Sequence, residues 1–257
     1  MTGIETKVRD SGGDGPALLF VHGIMMDGSV WDAQVAAFSD THRCVCPDLR
    51  GFGASRAASP EITFEDHADD LTALIEGLGL ADVTYVGWSM GGAVGHVLAA
   101  RPGAPLSRLV LVDTTPQLLA SDDFPHALPP EAAQGLGEVL VSDYDAGCAA
   151  FCGMVAPEDD AVAAHLTTIA RACPQDVALA AFASSGARNQ IDELSRIDMP
   201  TTMIHGREDA VCLPGAAEFT AERIGPAGPV RWIDGAGHAP FLTRPDTFAE
   251  ALRGALG

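Results

Sequence analysis

Gly87-Trp88-Ser89-Met90-Gly91 follows the apolar run Val83-Thr84-Tyr85-Val86 and leads into Gly92-Ala93-Val94-Gly95-His96-Val97-Leu98-Ala99-Ala100. The first flank is short, β-branched and aromatic, the composition of a buried strand. The second reads as a helix with small residues on its first turn. A serine at such a junction, with a glycine two positions to either side, makes the pattern of a nucleophile elbow. The glycines answer a steric demand, because so tight a turn presses the chain against its neighbours and leaves the serine at unfavourable dihedrals. That geometry lifts the hydroxyl clear of the backbone, and the helix behind it aims its N-terminus at any negative charge that develops. Small residues also punctuate ordinary strand-to-helix turns, so the neighbouring segments decide the reading.

Outward from the elbow, strands and helices alternate. Gly3 to Arg9 reads as an edge strand, and Ala17-Leu18-Leu19-Phe20-Val21 as a buried one closed by His22-Gly23-Ile24-Met25-Met26-Asp27-Gly28. Trp31, Val35 and Phe38 have helical spacing, and Arg43-Cys44-Val45-Cys46 is another strand, running into Pro47-Asp48-Leu49-Arg50-Gly51-Phe52-Gly53-Ala54-Ser55. Thr63 with Asp66 forms a capping box, aspartate standing in the usual glutamate position, ahead of the stripe Leu71, Leu74, Ile75, Leu78. Leu106 to Val112 is a further strand. The alternation resumes with Thr201 to Ile204, a helix near Gly215 to Ile224, the strand Val230 to Ile233, and a last helix from Pro245 to Leu256. Such alternation implies an α/β fold, a mostly parallel sheet with helices on both faces. Between Gln117 and Gln190 the rhythm fails. That stretch is alanine-rich, broken at Pro125, Pro129, Pro130 and Pro157, with helical patches at Val139 to Met154, Asp160 to Cys173 and Asp176 to Ala187. The expected division is a core of residues 1–116 and 191–257 with a helical cap at 117–190.

A hydroxyl that attacks an acyl carbon needs a base to take its proton and an acid to orient that base. His238, in Gly235-Ala236-Gly237-His238-Ala239-Pro240, follows a strand in a glycine-flanked loop and is the candidate base. Asp209, just beyond the strand ending at Ile204, is the candidate acid, with Asp113, Glu208 and Asp234 in competition. Asp113 also follows a strand end and is the strongest competitor. The chain order Ser89, Asp209, His238 is the one expected of an elbow serine. An oxyanion needs two donors: the Met90 N–H at the helix start, and the N–H of Ile24 after His22-Gly23. His22 is expected to brace that loop. Met25, Phe124, Phe151, Met154 and Phe182 are the candidate pocket side chains, although apolar residues of the cap equally serve packing.

Together these residues resemble the α/β-hydrolase superfamily over nearly the whole chain. The matching motifs are His22-Gly23; Asp48 with Gly51, Gly53 and Ser55; Gly87-Trp88-Ser89-Met90-Gly91-Gly92; Gly206 with Asp209 and Pro214; and Gly237-His238. The resemblance implies an eight-stranded, mostly parallel sheet with an inserted helical cap, and places the family roles on Ser89, His238, Asp209, Ile24 and Met90. Asp48 to Ser55 would be a structural turn. Serine at the elbow argues against haloalkane dehalogenases and epoxide hydrolases, which carry aspartate there. The chain looks most like small serine carboxylesterases, including the pimeloyl-carrier methyl ester esterase group, with enol-lactonases and cofactor-free perhydrolases sharing the motifs. The implied activity is cleavage of small esters or lactones through an acyl-enzyme. The alternatives are the same triad used for C–C hydrolysis, perhydrolysis or lactonisation, or a ligand-sensing protein of this fold.

Composition narrows the partners. A formal charge of −20 disfavours nucleic acid and anionic membrane surfaces. No apolar run is long enough to span a bilayer, and no secretory leader is evident at the N-terminus, so a cytoplasmic enzyme is expected. Cys44 with Cys46, and Cys148 with Cys152, lack metal-site spacing, so buried thiols are expected, with no metal and no cofactor. Docking of an acidic carrier protein requires cations on the cap. Residues 117–190 supply only Arg171 and Arg188 against ten acidic residues, which makes such a carrier an unfavourable partner and a small neutral or cationic ester or lactone the expected substrate.

Overall fold

The computed structural model describes residues 6–57 and 59–257. In chain order it runs β1 (Val8–Asp10), β2 (Ala17–Val21), a 3-10 turn (Gly28–Trp31), α1 (Asp32–Phe38), β3 (Arg43–Pro47), α2 (Phe64–Gly77), β4 (Thr84–Trp88), α3 (Met90–Ala99) and β5 (Arg108–Val112). Four helices then intervene: α4 (Pro130–Ser142), α5 (Tyr144–Val155), α6 (Asp160–Ala172) and α7 (Gln175–Ala187). The chain closes with α8 (Ile191–Leu194), β6 (Thr201–Gly206), α9 (Pro214–Arg223), β7 (Arg231–Ile233), α10 (Pro240–Thr243) and α11 (Pro245–Leu256).

The strands form one sheet in the order β1-β3-β2-β4-β5-β6-β7. Only β1, on the edge, is antiparallel; every other pairing is parallel. Among the described residues there are seven strands, not the eight implied by the family resemblance. The chain read residue by residue offers seven strand-forming runs, and no described segment remains to supply another. The start of the expected edge strand, Gly3 to Glu5, lies outside the described residues. β2 and β4 are buried at every position, as strands covered on both faces must be.

This topology locates the site. The connection β2–α1–β3 steps one way across the sheet, and β4–α3–β5 steps the other. Right-handed crossovers place α1 and α3 on opposite faces, so the loops leaving β2 and β4 diverge and open a crevice at their carboxyl ends. Ser89 follows β4, and Ile24 follows β2.

Local chemistry explains the helix boundaries. Thr63 Oγ1 accepts the Asp66 N–H at 3.0 Å while the Asp66 carboxylate accepts the Thr63 N–H at 2.9 Å, a reciprocal cap on α2. The patch Val139 to Met154 is not one helix. Asp143 is extended at φ −147° and accepts the Ala146 N–H at 3.0 Å, ending α4 and capping α5. Pro130 does not break a helix; it opens α4 at a position where no N–H is needed. Trp31 anchors the core beneath β2, stacking on Phe241 at 4.2 Å and tilted against Phe20 at 5.1 Å. No described helix is long and apolar enough to cross a membrane.

Candidate active site

The elbow is held from both sides. Ser89 has φ 54° and ψ −118°, a conformation costing a non-glycine residue on the order of 1–3 kcal/mol and kept only where the surroundings over-determine it. Here they do. The Ser89 N–H donates to the Val112 carbonyl at 2.9 Å, and Thr114 Oγ1 donates to the Ser89 carbonyl at 2.7 Å. Tyr85 donates its hydroxyl to the Gly91 carbonyl at 2.6 Å. A Cβ at Gly91 would run into the carbonyls of Val21 and His22, so that position admits no side chain.

The imidazole of His238 lies between the serine and an acid. Its Nε2 is 2.9 Å from Ser89 Oγ, and its Nδ1 is 2.8 Å from Asp209 Oδ2. A carboxylate only accepts, so Nδ1 carries the hydrogen and Nε2 is left to accept from the serine hydroxyl. Asp209 is itself fixed, its Oδ1 accepting the N–H groups of Val211 at 2.7 Å and Cys212 at 3.0 Å. Burial works to raise the Asp209 pKa. The His238 charge and hydrogen bond, then His205 and the Val211 N–H, outweigh it and hold the carboxyl below its ordinary value.

The competing acids are occupied elsewhere. Glu208 is exposed, and Asp234 pairs with Arg207 at 2.7 Å on the surface. Asp113 is fully buried at φ 42°; its Oδ1 accepts the Gly206 N–H at 2.8 Å, while Oδ2 has no partner among the described residues. Burial, and after it the charge of Asp209, push the Asp113 carboxyl well above the usual carboxylate range, so it stays neutral beside the ionised Asp209. His205 was not singled out by its sequence, although a histidine ending an apolar strand four residues before Asp209 is a legible signal. Its Nε2 donates to the Cys212 carbonyl at 2.8 Å and lies 3.4 Å from Asp209 Oδ2; burial lowers its pKa, so the ring is neutral.

A neutral Asp113 carries a measurable consequence. An acid that keeps its proton longer in the folded chain favours folding at low pH, and that contribution fades as pH rises above the unfolded value. Asp113→Asn keeps the shape and removes the titration. Its stability therefore gains on the wild type as pH rises above the unfolded value of about 4, by at most ~1.4 kcal/mol per pH unit. Thermal melts at several pH values read this directly, and a gap that stays constant over the range refutes the neutral carboxyl.

Met90 opens α3, whose first N–H groups have no intrahelical acceptor, and the Ile24 N–H donates to no other described residue. Both residues line a chamber of about 780 Å³ that also contains Ser89. His22 donates Nδ1–H to the Gly23 carbonyl at 2.8 Å and accepts the Leu49 N–H on Nε2 at 2.9 Å, stitching the loop after β2 to the loop after β3. Asp48 accepts the N–H groups of Gly28 at 2.8 Å and Ala54 at 2.9 Å, tying the turn after β3 to the turn after β2.

Phe151, Met154 and Phe182 line the chamber, with the Phe151 and Phe182 rings edge to face at 5.3 Å. Met25 and Phe124 do not. Met25 is held at φ 64° in the turn after β2 and is 1% exposed within the core. Phe124 packs against Phe219 of α9 at 4.8 Å in a separate small cluster. All six cysteines are free and buried. Two groupings of ligand-type side chains surround Asp209, one with Cys212 and His238, the other with Asp113 and His205. Their donor atoms are committed otherwise: burial keeps the Cys212 thiol protonated, and both histidines use a ring nitrogen in the bonds above.

Residues 16–138 match the alpha/beta hydrolase fold family. A pimeloyl-(acyl-carrier protein) methyl ester esterase of Nitrosomonas europaea is 32% identical over 249 residues, covering 93% of this chain and 95% of that one. The enzyme of the same name from Aeromonas hydrophila is 29% identical, covering 95% and 97%. Among solved structures, an esterase from Exiguobacterium antarcticum superposes with a TM-score of 0.91 at 22% identity, covering 97% of this chain and 94% of its own, which speaks to fold alone. Relatedness at 32% identity along nearly the whole of both chains makes this protein a member of the α/β-hydrolase family.

Proposed function

We propose that the protein hydrolyses small uncharged carboxylic esters or lactones through an acyl-enzyme on Ser89. The observation that carries this reading is the hydrogen-bonded series from Ser89 Oγ through His238 to Asp209. Ser89 Oγ attacks the carbonyl carbon as His238 Nε2 takes its proton, and Asp209 stabilises the imidazolium that results. The Ile24 and Met90 N–H groups receive the oxyanion. His238 then protonates the departing alkoxide, and water, deprotonated by the same nitrogen, releases the acid and restores the serine.

Substrate class follows from the chamber. Leu136, Leu140, Phe151 and Phe182 make its wall apolar, which suits an acyl chain. Arg188 is the cation on that wall, but its guanidinium is 3.0 Å from Glu65 and 4.9 Å from the Phe64 ring centroid. Arg171, the other cation of residues 117–190, pairs with Asp145 at 3.4 Å. A substrate carboxylate would find the Arg188 charge already neutralised by Glu65, and an acidic carrier would meet a surface of like charge. The named relatives act on a pimeloyl ester borne on acyl-carrier protein; here we propose a free, neutral ester instead. The test compares kcat/KM for methyl heptanoate, monomethyl pimelate and a carrier-linked pimeloyl methyl ester. A preference of at least about tenfold for the neutral ester is expected, corresponding to ~1.4 kcal/mol. Faster turnover of the carrier-linked ester overturns the substrate reading and leaves the triad untouched.

A further inference from the structure

The loop that carries His238 is gripped by the helices inserted between β5 and β6. Its backbone N–H donates to the Val155 carbonyl, the last residue of α5, at 3.0 Å. One residue earlier, the Gly237 N–H donates to Glu158 Oε1 at 2.7 Å. On the core side, Trp88 Nε1 donates to the His238 carbonyl at 2.7 Å. The peptide bearing the imidazole is thus clamped between the elbow strand and the insertion, and among the described residues Glu158 is the one side chain of the insertion that hydrogen-bonds this loop.

Glu158 is well placed for that work. It sits in Ala156-Pro157-Glu158-Asp159, where the Asp159 N–H returns to the Ala156 carbonyl at 3.2 Å. Asp159 in turn caps α6 by accepting the N–H groups of Ala161 and Val162, each at 3.0 Å. Proline and cap leave the turn little freedom. Contact with the histidine loop is close enough to exclude a side chain: a Cβ on Gly237 would lie 2.9 Å from Glu158 Oε2, 2.9 Å from Pro157 Cδ and 3.2 Å from the Val155 carbonyl oxygen. A carboxylate accepting a backbone N–H also makes a stronger bond than a neutral acceptor does.

We propose that Glu158 is a positioning residue for His238, setting the imidazole over Ser89 through the Gly237 amide. The inference rests on the reading of Ser89 and His238 as nucleophile and base. Base placement matters because errors of about 1 Å in reacting geometry cost on the order of a hundredfold in rate. Glu158 touches neither substrate nor imidazole, so its loss acts on kcat and spares KM.

Glu158→Ala and Glu158→Gln, assayed on a p-nitrophenyl ester alongside wild type and Ser89→Ala, decide the matter. Glu158→Ala is expected to lower kcat about ten- to a hundredfold with KM and melting temperature unchanged. Glu158→Gln keeps an acceptor oxygen and restores kcat to within about threefold of wild type. An alanine variant with wild-type kcat overturns the proposal. So does a glutamine variant as slow as alanine, or a kcat loss that merely tracks a fall in melting temperature. Wild-type turnover that survives Ser89→Ala sinks the underlying assignment instead, and this inference with it.

Discussion

Ser89→Ala is expected to lose on the order of 10⁵- to 10⁶-fold in kcat on a p-nitrophenyl ester while melting at the wild-type temperature. The size of the loss reflects units that act together: without the hydroxyl, neither the imidazole nor its acid has anything to activate, and only the oxyanion donors and the chamber remain. Folding is spared for a local reason. The restraints on residue 89 run through its N–H to Val112 and its carbonyl to Thr114, and alanine keeps both. Among the described residues the side chain contributes a single hydrogen bond, to His238. Alanine meets the same φ of 54° that the serine already endures. Stopped-flow or steady-state kinetics with a thermal melt on the same sample reads both halves. Residual turnover within tenfold of wild type means the reaction runs through another group.

Asp209→Asn is the second large effect, about 10⁴-fold in kcat. An asparagine offers an amide N–H toward His238 Nδ1 and favours the tautomer that presents Nε2–H to the serine, the opposite of what proton removal needs. Asp113 cannot take over in the wild-type protein, because its carboxyl is neutral and its Oδ1 is engaged by the Gly206 N–H. Comparing Asp209→Asn with Asp113→Asn therefore separates the two acids: the first loses about 10⁴-fold, and the second stays within about threefold of wild type. Equal losses from both substitutions would mean that the two carboxyls work as one shared acid, and the assignment to Asp209 alone would fall. The wild-type acid limb adds a check. With Asp209 held below its ordinary pKa, its ionisation does not limit kcat/KM within the ordinary carboxylate range or above it.

What was legible in the chain is what steric rules write into residue types. The elbow needs glycine at 87 and 91, the α2 cap needs Thr63 with Asp66, and a strand buried on both faces needs an unbroken apolar run such as Ala17 to Val21. The spacing of those signals gave the α/β alternation and brought Ser89, Asp209 and His238 forward as a set. Side-chain direction was not legible. Met25 adjoins the oxyanion loop in sequence, yet its positive φ turns it into the core, and Phe124 is claimed by α9, an element formed far downstream. Asp143 splits what reads as one helix because its side chain finds the Ala146 N–H, a local competition that apolar periodicity does not register. Glu158 gave no signal at all; an exposed glutamate becomes meaningful only once the insertion folds back onto Gly237.

The pairing of β5 with β6 has a bearing on how this architecture changes over evolutionary time. Val112 lies beside Ile204 in register, so the whole insertion hangs as one excursion from two neighbouring strands. Closing so long an excursion is costly, but the cost climbs only logarithmically, about 0.6 kcal/mol for each doubling of length. Residues can be gained or lost along α4 and α7, reshaping the chamber wall, with little penalty to the sheet that carries the serine and its partners. Selectivity and chemistry are thereby free to diversify at different rates. The turn at Pro157-Glu158 is the exception, a fixed point where any redrawing of the wall must still meet the histidine loop.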